Sequence, residues 1–419
     1  MQDNFVQIKE LRPDGLLWDV VQKNNFGARI RNARAVGSST EDPQSHGDIL
    51  STQIKDEVDD TGAQMGAGGD GKTTSWRKDP LASQTLLLQL DSGDSLFLRL
   101  RQIGRRRWEF VSSRQRVSKP MLTVQPGMHL AVDPSSRYVA VGCSEGVFAI
   151  YAMNSREELM RQHVQGQPLR YIASERYIYF QGVIHKMDFL HPSADDDKHI
   201  ILLVLVVFKG RTRMQLYEWE AGCDLRQIRA HSRRGHLLDE SRQMPILLIP
   251  ITKQSMFLLI CEDSIVLCRG ILQGSPTFSL YGGEDAPTKI HHGSGPPLWT
   301  AWTRPFRLPH HTVDQDDVYL VREDGLLKYL ELKQGQDEIV EMGVGILDYN
   351  CGTAFAFMDY NPLDGNTGDI LVTGGDAYAG ATYVVSCQFP SLLPLILSDT
   401  NRHPCTCDIT YTNKPVSRF

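Results

Sequence analysis

An apolar residue, two or three polar residues rich in Asp, Glu or Ser, a Gly or Ser, and then an apolar run: this phrase occurs five times along the chain. It reads Leu11-Arg-Pro-Asp-Gly15-Leu-Leu-Trp, Leu90-Asp-Ser-Gly93-Asp-Ser-Leu-Phe-Leu and Cys143-Ser-Glu-Gly146-Val-Phe-Ala-Ile-Tyr, then Cys261-Glu-Asp-Ser264-Ile-Val-Leu and Val321-Arg-Glu-Asp-Gly325-Leu-Leu-Lys-Tyr-Leu. Asp-Gly and Ser-Gly supply the positive φ that two-residue hairpin loops need, so each copy predicts a tight turn feeding a strand. Many hairpins with little helix between them predict an all-β repeat fold. With the gaps corrected for an insertion and a doubled unit, the spacing approaches about 50 residues, the scale of a propeller blade.

Further strands are expected at 5–10, 16–21, 86–90, 96–100, 130–132, 138–141, 146–150, 177–180, 200–208, 214–219, 246–251, 257–261, 318–321, 370–372 and 382–385. One short helix is expected over Ser155 to Gln162, with Ser155 as N-cap and acids in the first turn. Ile200 to Phe208 is the most apolar run, β-branched and far shorter than the roughly 20 residues of a membrane helix, so it reads as a strand buried on both faces. Between about Gly37 and Pro80 the composition shifts to Ser, Thr, Gly, Asp and Glu. That stretch offers too little apolar surface to offset its ordering entropy and is expected to be a disordered insertion. The expected division is therefore first strands at 1–36, the insertion at 37–80, the remaining β structure at 81–395 and an irregular tail at 396–419.

A net charge of −6 argues against a surface built throughout for phosphates while leaving room for a local basic patch. The eight Cys are scattered, and Cys261, Cys268 and Cys387 sit in apolar runs, which suits reduced thiols in the cytosol or nucleus. Met1-Gln-Asp-Asn leads straight into strand-like sequence, so no signal peptide is expected.

Several motifs match catalytic patterns without the context those patterns need. Gly66 to Thr73 matches a phosphate-binding loop letter for letter, yet Asp56-Glu57-Val58-Asp59-Asp60 upstream is no buried strand and no helical periodicity follows. Gly142 to Gly146 matches a nucleophile elbow around Ser144, but Val147, Phe148, Ile150 and Tyr151 favour a strand after the turn; the alternative it leaves is a serine hydrolase. Asp91-Ser92-Gly93 lacks the second acidic triplet that aspartic-protease chemistry requires. His291-His292, His310-His311 and His403-Pro-Cys405-Thr-Cys407 offer metal-ligand types without a closed four-ligand spacing. No catalytic residue, metal or cofactor is expected.

The segment Arg99 to Lys119 is the candidate binding site. It concentrates Arg99, Arg101, Arg105, Arg106, Arg107, Arg114, Arg116 and Lys119 against the single acid Glu109, with Trp108 and Phe110 interleaved. Arginine contact to phosphates with base stacking is the chemistry such a pattern offers, centred on Arg105, Arg106, Arg107 and Trp108. The competing reading is a solvated hairpin tip.

Taken in order, the strand motifs resemble the first β-propeller of a family of large nuclear scaffolds. That family includes damage-specific DNA-binding protein 1, splicing factor 3b subunit 3 and the large subunit of the cleavage and polyadenylation specificity factor. The resemblance is carried by Phe5-Val-Gln-Ile-Lys-Glu-Leu, Leu16-Leu-Trp and Phe26-Gly27-Ala-Arg-Ile30, by Leu130-Ala-Val-Asp133-Pro-Ser-Ser-Arg137 with Glu145-Gly146-Val-Phe-Ala-Ile, and by Ile184-His-Lys-Met-Asp188-Phe-Leu with Ile200 to Phe208 and Leu216-Tyr-Glu-Trp219. Val318 to Leu330 and Ile370-Leu-Val-Thr-Gly374-Gly375-Asp376 resemble later blades. The resemblance implies a seven-bladed propeller that is incomplete at its ends, the first of three in longer relatives, so a fungal-type member or a fragment is expected. It also implies a non-enzymatic scaffold in the nucleus with protein partners in a multi-subunit complex, nucleic acid bound directly or through them, and no membrane. The processes implied are splicing, polyadenylation and other mRNA processing, or DNA repair through a ubiquitin ligase. Gly374 to Gly380 departs from the family's usual glycine pattern.

Overall fold

The computed structural model describes residues 5–11, 17–37, 81, 84–104, 107–116, 127–193, 195–196, 198–232, 235–238, 244–252, 255–282, 285–291, 293–304, 315–333, 338–347, 350–353, 355–360, 368–374 and 382–387. The expected insertion at 37–80, Gly37 apart, and the expected tail at 396–419 lie outside them, as do the Gly66 to Thr73 motif, His310-His311 and His403 to Cys407. The chain forms two compact units, one of residues 1–9 and 19–181, the other of 10–18 and 182–419.

The described structure is a series of antiparallel sheets. β1 (Phe5–Leu11) pairs with β2 (Leu17–Asn24). In the first unit β3 (Ile30–Val36), β4 (Thr85–Leu90), β5 (Ser95–Gly104) and β6 (Arg107–Gln115) form a four-stranded sheet in that order. β7 (His129–Val132), β8 (Tyr138–Gly142) and β9 (Glu145–Met153) follow in sequence order and lead to the first part of β10 (Ile172–Leu190). Between β9 and β10 lies α1 (Arg156–Val164). Its cap is the expected one: Ser155 accepts a hydrogen bond from the Glu158 N–H, and Glu157 and Glu158 occupy the first turn.

The second unit repeats this plan. The rest of β10 pairs with β11 (His199–Phe208), and β11 with β12 (Arg211–Glu220), whose outer edge is covered by β13 (Arg229–Ala230) and β14 (His236–Leu237). Two four-stranded sheets come next: β15 (Leu247–Pro250), β16 (Phe257–Ile260), β17 (Ile265–Arg269) and β18 (Thr277–Tyr281), then β19 (Trp299–Thr303), β20 (Gln315–Arg322), β21 (Leu326–Lys333) and β22 (Glu338–Ile346). β23 (Phe355–Tyr360), β24 (Gly368–Gly374) and β25 (Thr382–Cys387) form the last described sheet.

Alternation along the strands explains how these sheets stack. Successive side chains point to opposite faces, so a continuous apolar run serves two cores at once. Leu88, Leu96 and Leu98 pack with Phe26 on one face of the first sheet. Leu87 and Phe97 pack on the other with Val139, Val141, Ala149 and Tyr151 of the next sheet. In the second unit Phe257 and Leu259 join Ile201, Leu203 and Leu205, whereas Leu258 and Ile260 join Trp299, Val318 and Leu320. The following core takes Tyr319, Val321 and Leu327 with Leu347 and Cys351. In the second unit the β15–β18 and β19–β22 sheets are thus each sandwiched between their sequence neighbours. The first strands of successive sheets also touch: β3 with β7, β15 with β19 and β19 with β23. Sheets packed face to face with adjoining first strands are the blades of a β-propeller.

The recurring phrase makes hairpin turns, with one correction. In the copies at 90–94 and 322–326 the glycine N–H bonds back three residues, Gly93 to Leu90 O at 2.9 Å and Gly325 to Arg322 O at 2.9 Å, with φ of 88° and 80°. These are longer loops in which glycine takes the left-handed position after the turn. The two-residue loop occurs at the copy without glycine, where the Cys261 N–H donates to Ser264 O at 2.8 Å. The central residues of the copy at 11–15 lie outside the described residues.

Candidate interaction surface

The basic segment folds into the β5–β6 hairpin, and the register decides the fate of each arginine. Arg99 faces Val111 in the ladder and is buried, on the same side of the strand as Phe97. Arg101 faces Glu109, and its Nε donates to Glu109 Oε1 at 2.6 Å, a direct cross-strand ion pair. Arg114 reaches back to the Phe26 carbonyl and lies 3.8 Å from Asp94. Trp108 and Phe110 belong to the other side of β6. Phe110 packs on the Leu88–Leu98 core, and Trp108 is half-buried. Arg107, opposite Gly104, and Arg116 are exposed. Arg105, Arg106 and Lys119 lie outside the described residues. Of the expected constellation, the described hairpin therefore leaves Arg107 and Arg116 exposed with no ion pair to another described residue, and Trp108 half-buried.

An unexpected basic stretch lies on the opposite edge of the same sheet. Arg29, just before β3, and Arg31 and Arg34 within it are exposed and make no ion pair with other described residues. The ladder with β4 shifts register between Ile30 and Asn32, which makes Arg31 a bulged residue. Sequence reading passed over this stretch because three arginines in six residues among apolar neighbours look like the solvated face of a strand. The signal available was the density of arginine itself, three within residues 29–34 of a chain of net charge −6.

The catalytic look-alikes are turns. Ser144 sits between two paired strands, with the Cys143 N–H donating to Val147 O at 3.2 Å, so no helix follows it as an elbow requires. Asp91 ties its own hairpin to β3: its Oδ1 accepts from the Arg29 N–H at 2.9 Å while its N–H donates to Arg29 O at 2.9 Å. The Asp133-Pro-Ser-Ser-Arg137 hairpin closes around a buried Asp133 carboxylate that accepts from the Ser135 hydroxyl and the Arg137 N–H. Desolvation raises that carboxyl above its usual range against the pull of these hydrogen bonds. His291 bonds the Gly295 carbonyl at 2.7 Å inside a loop. Among the described residues, no three His, Cys, Asp or Glu side chains are placed to hold a metal ion.

Two buried polar nodes in the second unit escaped sequence reading. In one, Arg304 pairs with Asp316 at 2.9 Å and donates to the Pro250 carbonyl, while Asp316 also accepts from the Thr252 N–H. His191 lies in the same charge field, and burial, with Arg304 opposing protonation, lowers its pKa to about 4. In the other, Arg322 holds Asp324 and the carbonyls of Asp285 and Ala286, and Lys328 pairs with Asp285 and Glu341 over the Trp299 ring. Both nodes fasten loops to blade strands. Each cation in them meets a carboxylate of the same node, one to one in the first and two cations against three carboxylates in the second, which is a structural role.

Stacked antiparallel blades joined by hairpin turns define a β-propeller. The chain belongs to the family described as RSE1/DDB1/CPSF1 first beta-propeller, whose model matches residues 1–404. No curated protein gives a significant match. That family is a non-enzymatic propeller scaffold whose propellers mediate protein interactions and whose members function in nuclear processes. No helix among the described residues is long and apolar enough to cross a membrane.

Proposed function

We propose that this propeller is a docking module of a multi-subunit nuclear complex that acts in mRNA splicing, 3′-end processing or DNA repair. The observation that carries the reading is the family match over residues 1–404, on a chain whose described motifs of catalytic type are structural turns. Rim loops and blade edges present main-chain groups and side chains to partner helices or strands, a mode of binding that needs no shifted pKa. The domain boundaries at 1–36, 37–80, 81–395 and 396–419 belong to the same proposal.

Affinity purification of the tagged chain from nuclear extract, followed by mass spectrometry, tests it. Co-elution of splicing, polyadenylation or cullin subunits is expected and selects among the three processes; recovery of chaperones alone defeats the reading. A second reading, direct contact with nucleic acid through Arg105, Arg106, Arg107 and Trp108, is favoured by the exposure of Arg107 at the end of the hairpin. It predicts RNA or DNA affinity that falls with salt and is lost on reversing those charges.

A further inference from the structure

We infer that the β3 strand, through Arg29, Arg31 and Arg34, is a docking strip for an acidic segment of a protein partner. Three observations carry this. First, β3 differs from β7, β15 and β19: it carries two exposed arginines, Arg31 and Arg34, whereas those three strands have no exposed residue and contain no Lys, Arg, Asp or Glu. Ile30, Ala33 and Val36 of this strand pack into the neighbouring cores, but the arginine side chains add nothing to that packing and repel one another, so their chemistry is directed to solvent.

Second, the arginines are unspent. On the β5–β6 hairpin Arg99 is buried, Arg101 meets Glu109 and Arg114 lies near Asp94, which leaves only Arg107 and Arg116, one at each end of β6, exposed and unmatched by a described carboxylate. On β3 no described carboxylate neutralises Arg29, Arg31 or Arg34; the nearby Asp91 uses Oδ1 for the Arg29 backbone N–H. Against a chain of net charge −6, this is a local reversal of sign.

Third, Arg31 occupies the bulge of the β3–β4 ladder. Bulges re-aim a side chain out of the alternation of the pleat, and they recur at working sites.

Guanidinium groups spaced along an extended strand match carboxylates spaced along an extended or helical acidic peptide, with bidentate pairing at each. Phosphates carry the same charge, but base recognition wants exposed aromatic faces beside the cations, and the aromatic residue next to this strip, Phe26, is buried. An acidic protein segment is therefore the occupant the surface fits. The inference rests on the scaffold reading for the partner being a protein, and its test is independent of co-purification.

The full chain is titrated with a fluorescein-labelled peptide of about a dozen Glu, Asp and Ser residues, and anisotropy is followed from about 50 to about 300 mM salt. Saturable binding that weakens steeply with salt is expected. Arg31→Glu with Arg34→Glu should lower affinity about ten-fold or more, whereas Arg31→Lys with Arg34→Lys should retain most of it. Arg107→Glu with Arg116→Glu, on the opposite edge of the sheet about 14 Å away, should change it less than about two-fold. Circular dichroism of each variant reports the fold. Absence of peptide binding at low salt overturns the inference, as does binding indifferent to Arg31 and Arg34 or equally lost in the Arg107 and Arg116 variant. An oligouridine of similar length that binds through the same arginines while the peptide does not assigns the strip to nucleic acid and also overturns it. None of these failures touches the recovery of nuclear subunits by purification, which decides the scaffold reading separately.

Discussion

Arg322 and Asp324 pair across the single residue Glu323 of one hairpin turn, both buried, with Nε to Oδ1 at 2.8 Å and Nη2 to Oδ2 at 2.9 Å. The pair does more than neutralise itself. Asp324 Oδ2 accepts from the Thr288 N–H at 2.8 Å, and Arg322 donates to the carbonyls of Asp285 and Ala286, so the 285–288 loop is fastened to the turn of β20 and β21. Replacing Asp324 by Ala leaves a buried guanidinium with only carbonyl partners. The expected loss is about 3–5 kcal/mol, read as a fall in the urea midpoint, because breaking one side of a buried pair strands the other charge. Burial alone would raise the Asp324 carboxyl, but the Arg322 hydrogen bonds and charge and the Thr288 N–H hold it below its ordinary value of 3.8. Its contribution is therefore present above that value and is lost as pH falls through the depressed one. The acid limb of unfolding should shift upward in Asp324→Asn.

His191 gives the opposite kind of acid sensitivity at higher pH. Burial and Arg304 lower its pKa from 6.5 to about 4. A histidine held neutral in the folded state binds its proton more readily when unfolded. Stability is complete above 6.5 and declines as pH falls toward 4, since the unfolded chain is protonated first. His191→Gln should flatten that decline. Urea midpoints at several pH values check it, and an unchanged slope would place the sensitivity elsewhere, with half-buried His185, whose Nε2 lies 2.5 Å from the Pro245 carbonyl, as the next group to replace.

How much of this was legible follows from range. Turn phrases and apolar alternation are local, so the hairpins at 90–94, 261–264 and 322–326 and the Ser155 cap follow from neighbouring residues. Within the basic segment charge counts ignore register: that Arg99 is buried and Arg101 meets Glu109 is set by which strands pair and where. β18, β19, β22 and β23 were not expected. Thr277-Phe-Ser-Leu-Tyr and Trp299-Thr-Ala-Trp-Thr are short, and Gly343 and Gly345 weaken the strand signal of β22. Tertiary pairing supplies what their own sequences lack. β13 and β14 pair through two residues each, below what any local pattern reveals.

Ser144 provides a direct test of turn against nucleophile. Its hairpin neighbours are fixed by the β8–β9 ladder, in which Gly142 faces Phe148. A fluorophosphonate probe should leave Ser144 unlabelled, and Ser144→Ala should leave stability within about 0.5 kcal/mol, as for a substitution at a turn without a buried partner. Stoichiometric labelling that disappears in the Ala variant would revive the hydrolase alternative.

Two glycines with the same sign of φ should respond differently to alanine, and the difference separates backbone strain from crowding. Gly146 has φ of 77° in the β8–β9 turn, and a Cβ there would meet nothing within 4 Å. Only the left-handed conformation opposes alanine, at about 1 kcal/mol. Gly182 has φ of 121° inside the long β10 strand, where a Cβ would lie 2.6 Å from the Val207 carbonyl oxygen and 2.7 Å from Val206 Cγ1. Those atoms belong to β11, whose ladder with β10 begins at Val183 and Val207, so neither can move without opening the sheet. Gly182→Ala adds a steric clash to the conformational penalty and should cost about 3 kcal/mol or more. Urea unfolding of the two variants side by side checks the order. Equal losses would mean that β10 and β11 part easily at this point, and the crowding argument would fail there.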